Sequence, residues 1–174
     1  HESNEVDSFK KEFQLLSQIK YPQIVQALDF GYTNEGYAFF ACELIDGKDF
    51  KSFAQTLKID SVIPMFTQLL ETLDFLHLIK ITHGDLKPAN ILIQKDDSGN
   101  ATLKLIDLGF ATAGKQHNFT NWKGTLGYIA PEILCGEEYD HRADLYSLGV
   151  ILYEIVTGGL PFGESDPLSQ AKSQ

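Results

Sequence analysis

The stretch His83-Gly84-Asp85-Leu86-Lys87-Pro88-Ala89-Asn90-Ile91-Leu92 decides the fold. Asp85 and Asn90 stand five residues apart, and Gly84 and Pro88 favour a tight loop around them. A carboxylate and an amide oxygen can therefore converge from one short segment. Lys87 adds a positive charge between them. Mg²⁺ prefers oxygen ligands, and lysine suits phosphate oxygens. The loop is thus a candidate site for a phosphate-bearing molecule with its metal.

Two predicted strands extend this site. The apolar run Ile91-Leu92-Ile93 predicts a short buried strand, residues 103–106 predict its partner, and residues 96–100 predict the turn between them. Pairing these strands brings Asp107, at the end of the second strand, beside Asn90 at the start of the first. Such an arrangement suits phosphoryl transfer, which depends on positioning and charge neutralisation and on an acceptor group beside the attacking hydroxyl.

The loop belongs to a set of three motifs, with Asp107-Leu108-Gly109 downstream and Ala130-Pro131-Glu132 beyond that. In this set, and over about residues 9–162, the chain resembles the eukaryotic-like (Hanks-type) serine/threonine protein kinases. The resemblance implies an α+β, two-lobe fold. Residues 1–45 would hold part of the small lobe, a helix and two antiparallel strands, together with the hinge. Residues 46–174 would form a mostly helical large lobe.

The resemblance also implies catalytic roles. Asp85 resembles the base that orients the substrate hydroxyl, and Lys87 resembles the lysine that steadies the γ-phosphate of ATP. The Asp-Leu-Lys-Pro setting of Lys87 is similar to the serine/threonine branch rather than the tyrosine branch. Asn90 and Asp107 resemble the ligands of Mg²⁺. Thr125 resembles the threonine whose hydroxyl bridges Asp85 and Lys87, and the alternative is an exposed loop threonine.

Further residues are expected to bind ATP by the same resemblance. Cys42 takes the gatekeeper position, and the backbone of Glu43 and Ile45 would bond the adenine edge. Asp49 could reach a ribose hydroxyl or, equally well, cap a helix. Leu92 completes this side of the nucleotide site.

Glu12 lies on a predicted amphipathic helix, because apolar residues recur at steps of three and four over residues 6–16 and Pro22 stops the pattern. By resemblance, Glu12 pairs with a strand lysine that grips the α- and β-phosphates. The alternative is a solvated charge. Neither that lysine strand nor a glycine-rich loop is present in these residues.

Other patterns predict the framework. Residues 24–32 and 37–44 predict a strand pair, and residues 145–156 predict a buried helix that is too short to span a bilayer. Residues 60–79 predict a long core helix. Its apolar side would comprise Val62, Phe66, Leu69, Leu70, Leu73 and Leu76.

Four residues near the motifs carry separate expectations. His83 is interpreted as a structural residue packed beneath the Asp107 turn rather than as a proton donor. Asp144 would accept backbone N–H groups of the catalytic loop, or merely cap its own helix. Most members of the family have an arginine at the position of Gly84, and that arginine binds a phosphate on the activation segment, which lies between Asp107 and Ala130. We therefore hypothesise that the activation segment of this chain is ordered without phosphorylation. Leu108 stands where most members of the family have a phenylalanine.

Composition narrows the function. The net charge is -10, and no stripe of lysine and arginine appears, which argues against a nucleic-acid surface or an anionic-membrane anchor. The two cysteines lie far apart, so a disulfide framework or a cysteine metal site is not expected. A cytoplasmic setting fits. Because complete domains of the family are longer, we expect a segment truncated at both ends, from a longer chain with further domains. Its later half resembles bacterial members most.

Three readings of the function follow. The first is a serine/threonine protein kinase that transfers the γ-phosphoryl group of Mg-ATP to hydroxyls of a protein substrate in signal transduction. The second is a pseudokinase, a binding or scaffolding module with the same fold. Intact Asp85, Lys87, Asn90 and Asp107 favour the first. Half a domain that docks on another chain is a third reading.

Overall fold

The computed structural model describes residues 2–55, 57–108, 111–113 and 126–162. In chain order the helices are α1 (Glu2–Gln18), α2 (Phe50–Ala54), α3 (Ile59–Leu78), α4 (Pro131–Leu134) and α5 (Arg142–Thr157). The strands are β1 (Ala27–Tyr32), β2 (Ala38–Cys42), β3 (Gly47–Asp49), β4 (Ile81–Thr82), β5 (Ile91–Lys95), β6 (Ala101–Leu105) and β7 (Thr112–Ala113). This mixture of helices and antiparallel strand pairs confirms the α+β prediction.

Helix α1 packs its apolar side on the β1–β2 hairpin. The rings of Phe9 and Phe40 lie 4.6 Å apart, and those of Phe13 and Phe30 lie 5.4 Å apart. Phe30 and Phe40 are also cross-strand neighbours in the antiparallel register, so one aromatic cluster joins helix and hairpin. The predicted helix and strand pair are confirmed, although both strands are shorter than the predicted ranges.

Helix α1 and the β1–β2 hairpin are attached to the rest of the fold by the segment between α1 and β1. The Val25 N–H donates to the Leu105 carbonyl at 3.0 Å, and the Leu105 N–H donates to the Gln23 carbonyl at 2.7 Å. This short segment therefore runs parallel to β6 and extends the sheet. Strands β3, β5 and β6 pair in that order, and β5 and β6 pair antiparallel from Ile91↔Leu105 to Lys95↔Ala101. The predicted strand–turn–strand unit is confirmed.

Helix α3 forms the centre of the part of the fold that follows β2. Leu69, Leu73 and Leu76 are completely buried, as the three-and-four spacing predicts. The inclusion of Leu70 in this face is wrong, because its side chain is 47% exposed. One residue turns a helix by about 100°, so a neighbour of Leu69 points away from the core. Met65, which the prediction omitted, is buried instead.

Helix α5 is confirmed in position but is not buried on all sides. Leu148 and Ile151 face the core, whereas Leu152 and Val156 are 43% and 60% exposed. In the described residues the packing partners lie on one side of α5, so the prediction of a wholly buried helix is wrong. Gly158 ends α5 with a φ of 85°, a left-handed conformation that glycine adopts without strain.

Cys42 and Cys135 are both free thiols. Within the described ranges, no helix has the length and apolar character needed to cross a membrane.

Leu73 and Leu70, one buried and one exposed on α3, allow a matched stability test. We expect Leu73→Ala to lower the free energy of unfolding by about 2–5 kcal/mol, because it leaves a cavity in the core. Leu70→Ala should cost less than about 0.5 kcal/mol, since the side chain is largely exposed and alanine favours helix. Urea denaturation measures both values, and equal losses would contradict the assignment of the buried face.

Candidate active site

The loop that follows β4 is held in place by Asp144 of α5. The backbone N–H of His83 donates to Asp144 Oδ2 at 2.9 Å, and that of Gly84 donates to Oδ1 at 3.0 Å. The ring Nε2 of His77 lies 2.8 Å from Oδ2. Asp144 is 1% exposed, so these partners replace the water that a buried carboxylate loses. The prediction that Asp144 accepts loop N–H groups is confirmed, and the simpler helix-cap reading is excluded.

Three candidate catalytic side chains meet on this loop. Lys87 Nζ lies 2.5 Å from Asp85 Oδ2. The side-chain amide of Asn90 donates to the Asp85 carbonyl at 2.9 Å and to Asp85 Oδ2 at 3.2 Å. A 3₁₀ turn over Pro88–Asn90 creates this proximity, since proline fits the first position of a helical turn. The Asn90 amide nitrogen is directed at Asp85, which leaves its Oδ1 as the atom able to bind a cation.

Asp107 follows β6 and returns to the same place. The Ile106 N–H donates to the Asn90 carbonyl at 2.9 Å, so the predicted proximity of Asn90 and Asp107 is confirmed. Asp107 has a φ of 64°, a left-handed conformation that is uncommon for a residue other than glycine. Such strain concentrates at functional sites. The amide oxygen of Asn90 and the carboxylate of Asp107 belong to these two neighbouring segments and are of the donor types that Mg²⁺ prefers when phosphate oxygens complete its shell.

Comparison with known proteins agrees with this geometry. The family model described as protein kinase domain matches residues 1–174. The chain belongs to the protein kinase family.

Relatives from both eukaryotes and bacteria are similar to this kinase chain. Serine/threonine-protein kinase ULK3 of Xenopus laevis is 37% identical over 161 residues, covering 90% of this chain and 34% of the relative. Serine/threonine-protein kinase cds1 of Schizosaccharomyces pombe is 34% identical over 182 residues, covering 98% of this chain and 38% of the relative. Serine/threonine-protein kinase pkn3 of Myxococcus xanthus is 34% identical over 173 residues, covering 92% and 31%. The chain therefore spans about a third of the length of these relatives.

Glu12 lies in the cleft of the kinase fold, close to Asp107. Burial and, next, the negative charge of Asp107 raise the pKa of Glu12 to about 7, although the backbone N–H of Leu108 opposes this shift. Glu12 is half-buried, so the reading of a freely solvated charge is wrong. In the described part of the chain, no ion pair joins Glu12 to a lysine; its predicted phosphate-gripping partner is not among these residues.

The segment after β2 contains the other nucleotide candidates. Cys42 is half-buried, and burial, with the charges of Glu12 and Glu43, raises the pKa of its thiol; a neutral packing residue fits. The Glu43 N–H donates to the Gln26 carbonyl at 3.0 Å. Ile45 is half-buried. The contacts of Cys42, Glu43 and Ile45 with adenine stay a prediction.

Asp49 and Leu92 are cross-strand neighbours on β3 and β5. Asp49 Oδ1 accepts the Ser52 N–H at 2.9 Å and caps α2, so the helix-cap alternative is the one observed. Leu92 is half-buried, on the face of β5 opposite to the buried Ile91 and Ile93. Thr125, predicted to bridge Asp85 and Lys87, and Gly109 of the second motif lie outside the described residues.

His83 is completely buried beneath these groups. Burial lowers its pKa in spite of the nearby carboxylates of Asp144, Asp107 and Asp85. Its Nδ1 accepts the backbone N–H of Asp85 at 3.3 Å. A neutral ring with this bond supports the structural interpretation of His83 over a role in proton transfer.

Two ion-pair clusters were not predicted from the sequence. Lys104 Nζ lies 2.6 Å from Glu43 Oε1, which also accepts the Gln26 N–H at 2.9 Å. Lys51 Nζ lies 2.6 Å from Glu154 Oε1. The partners are 61 and 103 residues apart, and charged residues in separate elements give no periodic signal by which to pair them.

Gly84 provides a test of backbone strain. Its φ is 79°, in the left-handed region, where a side chain costs about 1–2 kcal/mol. We expect Gly84→Ala to lower the free energy of unfolding by about that amount. Gly149→Ala is the control, because Gly149 lies within α5 with open space around it and alanine there should stabilise the helix by up to about 1 kcal/mol. Denaturant midpoints that fall equally for both variants would contradict the assignment.

His83 provides a test by pH. Because its pKa is lowered in the folded state, the unfolded chain binds an extra proton below about pH 6.5. The stabilising contribution of a neutral His83 is therefore complete above that pH and is lost as the pH falls, by at most about 1.4 kcal/mol per pH unit. Between pH 7 and pH 5, the midpoint temperature of thermal unfolding should fall more steeply for the wild type than for His83→Phe. Parallel curves would show that His83 titrates normally in the fold.

Proposed function

We propose that the full-length protein is a serine/threonine protein kinase, which transfers the γ-phosphoryl group of Mg-ATP to a hydroxyl of a protein substrate. The observation that carries the proposal is the convergence of Asp85, Lys87 and Asn90 within hydrogen-bond distance on one buried loop, with Asp107 beside it. Relatives named serine/threonine-protein kinase at 34–37% identity support the same activity. Because the chain spans about a third of those relatives, the proposal concerns the whole protein.

The residues of the loop divide the work of the reaction. Asp85 accepts the proton of the substrate hydroxyl as its oxygen forms a bond to the γ-phosphorus. The bond from that phosphorus to the β–γ bridging oxygen breaks, and ADP leaves. Lys87, next to Asp85, offsets the charge that spreads over the transferred oxygens. Asn90 Oδ1 and the Asp107 carboxylate would hold Mg²⁺, which neutralises phosphate charge when bound.

The nucleotide would lie between the β1–β2 hairpin and β5. Glu43 and Ile45 would bond adenine through their backbone, with Cys42 behind it and Leu92 beneath it. Glu12 would pair with a phosphate-gripping lysine, and Thr125 would bridge Asp85 and Lys87. Asp49 would contact the ribose only by giving up its bond to Ser52, which makes it the weakest member of the set.

A cytoplasmic setting, a role in signal transduction and further domains in the full-length chain belong to the same proposal. Relatives that are about three times longer than the aligned segment support further domains. The similarity reaches both eukaryotic and bacterial kinases, so a bacterial source stays a prediction from the later half of the sequence.

Radiolabel transfer from Mg-ATP to a generic protein substrate tests the activity. We expect Asp85→Asn to lower the rate by about 10²–10⁴-fold, because the general base is lost while the side-chain shape is kept. Asp97→Asn, the same change in the exposed turn between β5 and β6, is the matched control and should transfer at the wild-type rate. A wild type that binds ATP without transfer would instead support the pseudokinase function.

A further inference from the structure

A cavity of about 450 Å³ lies on the face of the β3–β5 sheet opposite to the proposed nucleotide site. Lys48 of β3 and Ile93 of β5 are cross-strand neighbours, and both line the cavity. Successive side chains of a strand alternate between its two faces, so Lys48 and Ile93 share the face that Asp49 and Leu92 do not. The lining comprises Asp46, Gly47, Lys48, Phe53, Ile93 and Lys95. None of these residues belongs to the candidate active site.

The floor of the cavity is apolar and fixed. Ile93 is 2% exposed and Phe53 of α2 is 7% exposed, and both belong to the hydrophobic core. Helix α2 is held against that core by Phe50, whose ring lies 5.0 Å from that of Phe66 on α3. A side chain of a ligand would therefore meet a preformed surface, which lowers the cost of binding.

The rim of the cavity is positively charged. Lys48 and Lys95 are exposed, and Lys95 Nζ lies 5.4 Å from the centre of the Phe53 ring, within the range of a cation–π contact. The lysines that form ion pairs in the described part of the chain are three others, Lys51, Lys87 and Lys104. Among the described residues, two ammonium groups thus stand beside an apolar surface without a carboxylate partner, in a chain whose net charge is -10.

Nearby carboxylates offset this positive charge only in part. Asp46 is exposed at the cavity, so the lining carries two positive charges and one negative charge. Asp96, which follows Lys95, is directed at Asn100. Its Oδ1 accepts the backbone N–H of Asn100 at 2.8 Å, and its Oδ2 accepts the side-chain amide at 3.0 Å. An anionic group is therefore the ligand chemistry that complements the two lysines.

The cavity also borders an open strand edge. Strand β3 stands at the end of the order β3-β5-β6, so in the residues that the structure describes one of its edges carries no strand. The main-chain groups along such an edge can pair with an extended peptide, whose alternate side chains point to one face of the sheet. The edge favours a peptide over a small anionic molecule, which would use the cavity alone.

We propose that this cavity is a docking site for an acidic segment of a partner protein. The segment pairs with the edge of β3, places an apolar side chain against Phe53 and Ile93, and presents carboxylates to Lys48 and Lys95. This inference does not depend on phosphoryl transfer, because it uses no residue of the candidate active site.

The test measures peptide binding to the full-length protein by fluorescence anisotropy. The probe is a short labelled peptide in which leucine is flanked, two positions away on each side, by glutamate, with threonine between them, because residues two apart share one face of a strand. Two comparison peptides carry lysine in place of the glutamates or serine in place of the leucine. We expect the wild type to bind the glutamate peptide about tenfold tighter than either, since each comparison removes one of the two complementary features.

Reversal of the rim charge is the decisive change in the protein. Lys48→Glu/Lys95→Glu should bind the glutamate peptide about tenfold more weakly and should prefer the lysine peptide, because two attractions become two repulsions. Asp46→Asn should bind the glutamate peptide about twofold tighter, since a like charge is removed. A loss of stability produces neither an exchanged preference nor tighter binding.

Two further variants separate a local site from general attraction. Lys20→Glu is the matched control, because Lys20 is exposed in the segment between α1 and β1, and it should leave both affinities at the wild-type values. Lys95→Met keeps an aliphatic stem over Phe53 without the charge and should weaken binding of the glutamate peptide by about threefold. Equal effects of Lys20→Glu and of charge reversal at the cavity would show an attraction to net charge only and would overturn the docking site.

The remaining arms identify the occupant. Octanoate brings a carboxylate and an apolar chain but no strand, so we expect it to leave peptide binding unchanged at equal concentration; displacement of the peptide would assign the cavity to small amphiphiles and overturn a protein partner. Full-length protein that binds no glutamate peptide would also overturn the inference, including the case in which a segment of the same chain fills the cavity. Binding that depends on Lys48 and Lys95 and persists in Asp85→Asn would support the docking site, whether or not the wild type transfers phosphate.

Discussion

The Asp144 carboxylate is almost fully buried, and such a charge persists in a folded protein only where hydrogen bonds replace its hydration. Its two oxygens receive the backbone N–H groups of His83 and Gly84, with the His77 ring beside one of them. These bonds determine where the loop begins, and therefore where the side chain of Asp85 points. The positions of two other candidate catalytic side chains follow, because Lys87 and Asn90 are placed by their bonds to Asp85.

A second set of long-range bonds joins α1 and the β1–β2 hairpin to the rest of the fold. The segment of residues 23–25 adds to β6 as a parallel strand, and Glu43 accepts from both Gln26 and Lys104. Lys104 is adjacent to Leu105, the residue that bonds the 23–25 segment. These bonds attach the β1–β2 hairpin to β6, the strand that ends at Leu105, two residues before Asp107. The residues proposed to bind adenine and Mg²⁺ are thus attached to the same strand, which suits a reaction that depends on positioning.

The sequence was most informative where the structure depends on residues close together in the chain or on the order of motifs. The β5–β6 unit, the proximity of Asn90 and Asp107, and the bonds of Asp144 were all predictable, because a turn, a strand register and a motif order determine them. Leu70 was assigned wrongly because periodicity places the edge of a helical face only to within one residue. The exposed side of α5 and the pair Lys51–Glu154 were not predictable, since both depend on which elements pack together at long range. Asp49 illustrates a further limit, because an N-cap and a ribose contact require the same short acidic side chain.

Glu12 shows what the cleft requires electrostatically. Its raised pKa results mainly from burial and then from the like charge of Asp107, and a single N–H of Leu108 is the opposing bond. A carboxyl group whose folded pKa exceeds the unfolded value is stabilising only when protonated, so this contribution declines as the pH rises from about 4.5 toward 7. A cation between Glu12 and Asp107 would reverse the sign, because it would favour both ionised carboxylates. A lysine ammonium or a metal ion supplies such a charge. Positive charge at this position would therefore offset both causes of the raised pKa of Glu12, its burial and its repulsion from Asp107.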